Sequence, residues 1–233
     1  MHIHHYSVGR SGCTLVSQLL AGVFGREHLS AGHAPYFLDG DQPLVITLRD
    51  FRDVALSFWR VHNDISKADL RRGRQATRQE LQAQLVPVKR AIREALLPCY
   101  ERNERVLLLR YEDFFPGRYD VIFDQFEEFF NVSIGAVRRK KLQKAYSFQR
   151  NKYKASKLSS FREYDSDYIH GGHCHKGEIG GWRALLPRSL HSELELTLAA
   201  ELRQWGYTVH DTAVGGAPAA TGAPIWRPAL GAA

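Results

Sequence analysis

The chain has 233 residues, of which 44% are hydrophobic and 24% are charged, and its formal net charge at pH 7 is +7. This composition predicts a soluble globular protein of one domain and excludes a membrane span, because no apolar run approaches roughly 18 residues. The basic excess indicates an anionic partner, which could be a nucleotide, a nucleic acid, an acidic polysaccharide or a membrane surface.

The cysteines and the first residues both favour a cytoplasmic protein. Cys13, Cys99 and Cys174 are too few and too scattered for a disulfide framework. The stretch MHIHHYSVGRSG lacks the basic and then apolar regions of a secretory signal, so its alternation is interpreted as part of the fold. The oligomeric state does not follow from the sequence.

Three short apolar runs, at residues 3–8, 43–48 and 106–111, are predicted to be buried strands. Segments with helical spacing of apolar residues separate them, which is typical of parallel βαβ architecture. Pro87 predicts a kink or a boundary in the second helical segment, and Gly206 ends the last one. The predicted helical segments are 52–65, 78–103, 117–131 and 187–207.

Two further segments lack sustained periodicity. Residues 154–181 form a long irregular stretch, and a loop of that length inside a compact domain is usually functional. Residues 211–233 are rich in Ala, Gly and Pro and predict a disordered or loosely attached tail. The sequence therefore predicts one domain at 1–210 followed by this tail.

The stretch YSVGRSGCTLVSQLL, residues 6–20, has the order strand, glycine-bearing turn and helix. Such a turn presents free backbone N–H groups and the positive end of a helix dipole, and Arg10 adds a fixed charge. The pattern lacks the lysine of G-x-x-x-x-G-K-[ST]. It predicts an anion site, with a tight turn carrying a surface arginine as the alternative.

Two later segments could face the same crevice, since ligands of doubly wound folds lie beyond the carboxyl ends of the strands. LRDFRDVALSFWR places Arg49 at a strand end and Ser57 eight residues later, although the arginines could simply pair with Asp50 and Asp53. HKGEIGGWRALLP, residues 175–187, is a glycine-rich loop that could either close over an anion or serve only as a connection.

Together these segments resemble the PAPS-dependent sulfotransferases. SVGRSGCTLVSQLL is similar to the 5′-phosphosulfate loop Y-P-K-S-G-T-T-W, and LRDFRDVALSFWR to the 3′-phosphate segment R-D-P-R-D-V-A-V-S-Y-Y. HKGEIGGWRALLP resembles R-K-G-x-x-G-D-W-K, and VLLLRYEDFF matches a strand that ends in Y-E-D. The resemblance runs from residue 6 to about residue 187 and implies a three-layer αβα fold with a mostly parallel sheet, like that of P-loop NTPases.

The resemblance implies a function and a set of binding residues. The enzyme would move a sulfuryl group from PAPS to a hydroxyl acceptor, without a metal, and release PAP. The 5′-phosphosulfate would be bound by Arg10, Ser11, Gly12, Cys13 and Thr14. The 3′-phosphate would be bound by Arg49 and Ser57, with His175, Lys176 and Gly177 closing over it, and the adenine would lie against Tyr111 and Phe148.

Two catalytic roles follow from the same resemblance. His33 stands where the family places its catalytic base, and an imidazole with a pKa of about 6.5 suits proton removal at neutral pH. Arg10 replaces the family lysine and would stabilise charge on the leaving 5′-phosphate, although an arginine is a poor proton donor. The alternative for His33 is a surface loop histidine.

Several positions depart from the family pattern. Leu15 replaces a tryptophan that packs on adenine, which removes a stacking contact. His175 replaces an arginine, and Gly181 replaces an aspartate. These departures indicate a divergent or inactive member.

The acceptor does not follow from the sequence, which favours only a carbohydrate or another small biosynthetic intermediate. We expect segments 34–42, 62–80 and 150–172 to line its pocket. A P-loop nucleotide kinase and a basic nucleic-acid-binding protein are the alternative functions. The cluster HGGHCH at 170–175 contains four residues that can bind a metal. Four ligands within six residues rarely converge on one ion, so no metal site is predicted.

Overall fold

The computed structural model of the protein describes residues 1–34, 42–160, 163–165, 167, 169–171, 177–209 and 226–227. The three predicted apolar runs form the strands β1 (Ile3–Ser7), β3 (Leu44–Leu48) and β4 (Val106–Arg110). Together with β2 (Leu29–Gly32) and β5 (Trp226–Arg227) they make one sheet in the order β2-β1-β3-β4-β5. The first four strands are parallel and β5 is antiparallel to β4, so the predicted mostly parallel sheet is confirmed.

Helices cover both faces of this sheet. After β1 and β3 come α1 (Cys13–Phe24) and α2 (Phe51–His62), and short α6 (Tyr111–Phe114) follows β4 directly. The remaining helices are α3 (Lys67–Arg71), α4 (Arg78–Ala91), α5 (Leu97–Arg102), α7 (Tyr119–Phe130), α8 (Ala136–Ala145), α9 (Phe148–Ala155), α10 (Trp182–Leu185), α11 (His191–Thr197) and α12 (Ala199–Gln204). Short 3-10 turns occupy Arg26–His28 and Arg188–Leu190.

Strand alternation divides the core into two layers. On β3, Leu44, Ile46 and Leu48 belong to the cluster that contains the apolar faces of α2, α4, α11 and α12. Val45 belongs to the opposite cluster, with the apolar residues of α1 and α7. Because successive side chains of a strand point to opposite faces, a central strand that is buried throughout needs helices on both sides. The three-layer αβα arrangement is confirmed.

Two local features differ from the sequence expectation. β2 is a half-buried strand of four residues, LSAG, at the sheet edge, and it is too short to give an apolar run from which to predict it. No boundary falls at Pro87, which lies inside α4; the helical pattern changes only at a π-helical turn over Ile92–Leu96. Pro87 and Ala83 are exposed, so water can satisfy the Ala83 carbonyl, to which Pro87 has no N–H to donate.

The domain boundary at residue 210 stays a prediction, because only Trp226–Arg227 of the segment beyond it lie within the described residues. These two residues pair with Val106 and Leu107 of β4. Among the helices that the structure describes, none combines the length and apolar character needed to cross a bilayer.

Candidate active site

The turn between β1 and α1 is held in an unusual backbone conformation. Gly9, Arg10 and Gly12 have φ values of 71°, 58° and 88°. A Cβ on Gly12 would lie 2.8 Å from Cδ2 of Tyr111, so glycine is required there by space as well as by φ. α1 begins without a side-chain cap and has no acidic residue in its first turn. The positive end of the α1 dipole therefore favours an anion at this turn.

The first two motifs meet at this turn. The Arg10 Nε donates a hydrogen bond of 2.9 Å to the Ser57 Oγ of α2. The Ser11 Oγ is buried and lies 3.2 Å from the Thr47 Oγ1 of β3. The structure thus brings together Arg10, Ser11 and Ser57, three of the predicted donor-binding residues.

Arg49 stands at the end of β3 with most of its guanidinium engaged. It donates through Nη1 to the Arg10 carbonyl at 3.4 Å and through Nη2 to the Glu178 carbonyl at 2.8 Å. Its guanidinium carbon lies 4.5 Å from the centre of the Tyr111 ring. The Arg49 Nε is buried and has no partner among the described residues. Since an unsatisfied buried donor costs about 1 to 3 kcal/mol, this atom indicates an anionic ligand.

Asp53 links Arg49 to the third motif. Its carboxylate lies 3.4 Å from Arg49 and accepts backbone hydrogen bonds from Gly180, at 2.8 Å, and from Trp182, at 2.9 Å. Burial raises the pKa of Asp53, although Arg49 and the two N–H groups oppose this shift. The sequence interpretation gave Asp53 no role beyond a local pair. Asp53 lies in α2, four residues after Arg49, and this spacing could have predicted their contact.

Aromatic side chains form one side of the site. The Tyr111 hydroxyl donates to the Gly177 carbonyl at 2.9 Å, and a Cβ on Gly177 would lie 2.5 Å from that hydroxyl. The Tyr111 ring stacks on Phe115 at 4.7 Å, and Phe115 meets Phe148 edge-on at 5.5 Å. Tyr111 and Phe148 were predicted, whereas Phe115, the last residue of VLLLRYEDFF, was given no role.

One cavity of about 620 Å³ contains most of these groups. Its lining includes the predicted residues Arg10, Gly12, Cys13, Thr14, Arg49, Ser57, Tyr111, Phe148 and Gly177. It also includes residues from the segments 62–80 and 150–172 that were expected to line the acceptor pocket: Lys67, Arg71, Arg74, Asn151 and Lys152. Further lining residues had been given no role in the site: Asp53, Arg60, Phe115, Tyr119 and Tyr146. Ser11 and His33 are not part of the lining, and the predicted His175 and Lys176 lie outside the described residues.

His33 follows β2 on another side of the turn. A Cβ on Gly9 would lie 3.7 Å from His33 Cε1 and 3.1 Å from Phe58, so these residues adjoin the turn. The His33 Nδ1 lies 2.8 Å from the Ser7 carbonyl and 3.1 Å from the Ser7 hydroxyl. A carbonyl only accepts hydrogen bonds, so this contact requires the proton on Nδ1. The neutral ring then carries its lone pair on Nε2, as a general base requires.

Metal ligation finds no support in the part of the chain that the structure describes, where no three His, Cys, Asp or Glu residues form a candidate group. Of the histidine-rich cluster only His170 and Gly171 are described, so the expectation of no metal stays a prediction.

Comparison with known families decides the enzyme class. The sequence model of the sulfotransferase domain family matches residues 23–206 of the chain. The chain belongs to the sulfotransferase family. The predicted family and enzyme class are therefore confirmed, although the match begins after the turn that contains Arg10. A search of curated protein sequences found no match to this sulfotransferase.

Solved structures with the same fold are distant in sequence. A mouse sulfotransferase, SULT7A1, complexed with PAP has a TM-score of 0.60 at 12% identity, over 87% of this chain and 84% of that one. Retinol dehydratase with androsterone and inactive cofactor PAP has a TM-score of 0.59 at 15% identity, over 91% and 83% of the two chains. Its complex with retinol and PAP gives 0.58 at 16%, over 93% and 83%. These likenesses confirm the fold of this sulfotransferase.

Proposed function

We propose that the enzyme transfers a sulfuryl group from PAPS to a hydroxyl group of a small-molecule or carbohydrate acceptor. The observation that carries this proposal is the convergence of Arg10, Ser57 and Arg49 at one cavity, where Arg49 retains a buried Nε without a partner among the described residues. The PAP in the neighbouring structures supports the same class of ligand.

The donor would span the turn and the cavity. Arg10, Ser11, Gly12, Cys13 and Thr14 bind the 5′-phosphosulfate, using the uncapped start of α1 together with the Arg10 charge. Arg49 and Ser57 bind the 3′-phosphate, which fills the vacant hydrogen-bonding position at the Arg49 Nε. By the family resemblance, His175, Lys176 and Gly177 complete this site, and Tyr111 and Phe148 contact the adenine.

His33 is proposed as the catalytic base. PAPS supplies a sulfuryl group that is already activated by its bond to phosphate. The protein therefore has to position the acceptor and stabilise the negative charge on the leaving phosphate. The His33 Nε2 takes the proton of the attacking hydroxyl while the Ser7 carbonyl holds Nδ1–H and fixes the ring. The same carbonyl favours the positively charged imidazolium that forms.

Arg10 is proposed to stabilise the leaving group. Its guanidinium carries a permanent charge beside the turn, where negative charge develops on the bridging oxygen as the sulfur–oxygen bond breaks. The Ser57 hydroxyl holds Arg10 Nε at 2.9 Å and so limits its motion. Arginine does not give up its proton, so Arg10 acts here through charge and hydrogen bonding.

Calorimetric titration with PAP, 5′-AMP and ATP tests the donor assignment. We expect PAP to bind much more tightly than 5′-AMP, and Arg49→Ala to weaken PAP by at least about 100-fold while changing 5′-AMP little. Arg72→Ala is the matched control, because Arg72 is exposed, pairs with Asp69 and does not line the cavity. Equal affinities for PAP and 5′-AMP in the unmodified enzyme would contradict the proposal.

Transfer from labelled PAPS to a panel of hydroxyl compounds tests the base. With any acceptor that is sulfated, His33→Ala should lower kcat by about 100-fold to 10,000-fold and leave the PAP affinity within a factor of about two. His28→Ala is the control, since His28 is exposed and lies beside its chain neighbour Glu27. A kcat that falls equally in both variants would remove His33 from this role.

A further inference from the structure

The cavity extends beyond Ser57 to a cationic wall, which we define as Arg60, Lys67, Arg71 and Arg74. Arg60 follows Ser57 by three residues on α2, so the two lie on neighbouring parts of the same helix face. Lys67 and Arg71 occupy positions i and i+4 of α3 and both line the cavity. Part of the basic run 69–78 therefore lines the same cavity as the proposed donor site.

This wall is fixed to the rest of the site. The Ala76 N–H donates to the Leu185 carbonyl at 2.9 Å, and Gln75 Nε2 donates to the Ala184 carbonyl at 3.3 Å. Leu70 packs against the core that contains α2. The segment that carries Lys67, Arg71 and Arg74 is therefore tied to α10, and α10 follows the loop that contains Gly177.

The charges of Lys67 and Arg71 are poorly compensated. On α3, the Asp69 carboxylate accepts hydrogen bonds from the Ser66 N–H and hydroxyl and pairs with Arg72. Neither Lys67 nor Arg71 has a carboxylate partner within the described ranges, whereas Arg74 pairs with Glu80. Among the described residues, the whole lining has seven Lys or Arg and only two acidic residues, Asp53 and Glu178. Such an excess favours an anion in the cavity.

We propose that the cationic wall is an anion subsite that binds a phosphate, sulfate or carboxylate group. The inference deepens the proposed function and rests on it for the position of the donor. Two sources supply this chemistry: the 3′-phosphate of PAPS, or an acidic group on the acceptor. Either source makes Lys67 and Arg71 determinants of ligand specificity.

The experiment compares Lys67→Ala/Arg71→Ala with the control Arg72→Ala, using PAP, 5′-AMP and a sulfated disaccharide, the last with and without PAP. If the 3′-phosphate is the occupant, the double variant binds PAP about fivefold to tenfold more weakly at low salt and binds 5′-AMP as the control does. If an acidic acceptor is the occupant, only the disaccharide affinity falls.

The two proposals fail in different ways. Failure of PAP to bind the unmodified enzyme counts against the donor assignment, and the disaccharide titration without PAP still tests the wall. The anion subsite is overturned if the double variant binds PAP and the disaccharide as Arg72→Ala does.

A second inference comes from a buried polar relay beneath the turn, which we define as Ser17, His5, Thr47 and Ser11. The His5 Nδ1 lies 2.8 Å from Ser17 Oγ, and His5 Nε2 lies 3.3 Å from Thr47 Oγ1. Thr47 Oγ1 in turn lies 3.2 Å from Ser11 Oγ. All four residues are buried, so the contacts exclude water and connect α1, β1, β3 and the turn.

The proton order in this relay determines what Ser11 can do. Burial lowers the pKa of His5 to about 3, so the ring is neutral at pH 7 and one nitrogen carries the proton. With the proton on Nε2, His5 donates to Thr47 and Thr47 donates to Ser11, which leaves the Ser11 proton for a ligand. With the proton on Nδ1, the relay runs the other way and Ser11 donates to Thr47.

We infer that His5 is a positioning residue that orients the relay so that the Ser11 hydroxyl donates to an anion bound at the turn. An anion only accepts hydrogen bonds, so its binding selects the Nε2–H form of His5. This inference also rests on the proposed donor site, because that site puts the anion at Ser11.

A double-mutant cycle on PAP affinity tests the relay. His5→Leu should weaken PAP about tenfold, and His5→Gln, whose amide can donate to Thr47, should restore most of the affinity. In the Ser11→Ala background His5→Leu should have no further effect. An undiminished effect in that background would mean that His5 acts only through general packing.

Nitrogen NMR of the unmodified enzyme covers the case in which His5→Leu does not fold. The His5 ring resonances distinguish the two neutral forms, and we expect the Nε2–H form in the PAP complex. An Nδ1–H form in that complex overturns the relay, whereas failure of PAP to bind counts against the donor site itself.

Discussion

The floor of the cavity and its walls are built differently. The floor, which we define as Arg49, Asp53 and the relay beneath the turn, is largely buried, with the Arg49 and Asp53 side chains 11% and 1% exposed. The aromatic wall of Phe115 and Phe148 and the cationic wall are half-buried or exposed. Changes in the floor should therefore alter folding and binding together, whereas changes in the walls should alter binding alone.

The largest effect is expected at Asp53. Asp53→Ala leaves the Gly180 and Trp182 N–H groups without acceptors and Arg49 without its carboxylate, so the free energy of unfolding should fall by about 3 to 5 kcal/mol. Urea unfolding measures this loss. Asp69→Ala is the control, because the Asp69 carboxylate also pairs with an arginine and accepts a backbone hydrogen bond but is 35% exposed, and its loss should cost much less. Equal losses would remove the distinction between floor and surface.

Acid should destabilise the floor through His5. Its pKa is about 3 in the folded protein and about 6.5 when exposed, so the unfolded chain binds more protons between these values and stability falls as the pH drops below about 6.5. The contribution is about 2 kcal/mol at pH 5. Urea unfolding at about pH 5 and pH 7.5 should show this loss in the unmodified protein and not in His5→Gln.

A wall variant provides the matched control for this pH effect. Lys67→Ala leaves the four residues of the relay unchanged, so its pH dependence should equal that of the unmodified protein. The assignment to His5 fails if His5→Gln retains the full loss between the two pH values.

A smaller effect is expected in the aromatic wall. Phe148→Leu keeps an apolar side chain but removes a ring, so PAP affinity should fall by about 1 kcal/mol, or roughly fivefold, with the unfolding free energy nearly unchanged. The loss should be the same at about 50 and about 300 mM salt, since stacking is not screened. Any loss of PAP affinity in the double variant Lys67→Ala/Arg71→Ala should disappear at the higher salt, because salt screens charge interactions. A salt-dependent loss in Phe148→Leu would contradict the division between the two walls.

The sequence predicted the residues around the turn better than the walls, for a physical reason. Arg10 and Arg49 follow the ends of β1 and β3, and Ser57 lies in the helix after β3, so the order of elements is enough to bring them together. Lys67 and Arg71, on the short helix α3, and Phe115, which follows α6, reach the cavity through connections whose paths no periodicity specifies. Segments 62–80 and 150–172 were expected to line a pocket, and Lys67, Arg71 and Lys152 do line the cavity; which ligand they contact is a separate matter.

The smallest effect is expected at Leu15, where the family resemblance implies a tryptophan. Leu15 lines the cavity. The absence of the tryptophan ring at this position would weaken adenine binding if no other ring contributed. Phe115, Phe148 and Tyr146 already line the same cavity, so Leu15→Trp should change PAP affinity by no more than about threefold. Calorimetry on this variant, alone and combined with Phe148→Leu, measures whether the rings substitute for one another. A gain of about tenfold in Leu15→Trp alone would mean that the aromatic wall does not contact the adenine, because a ring that replaced an existing stack could not add that much.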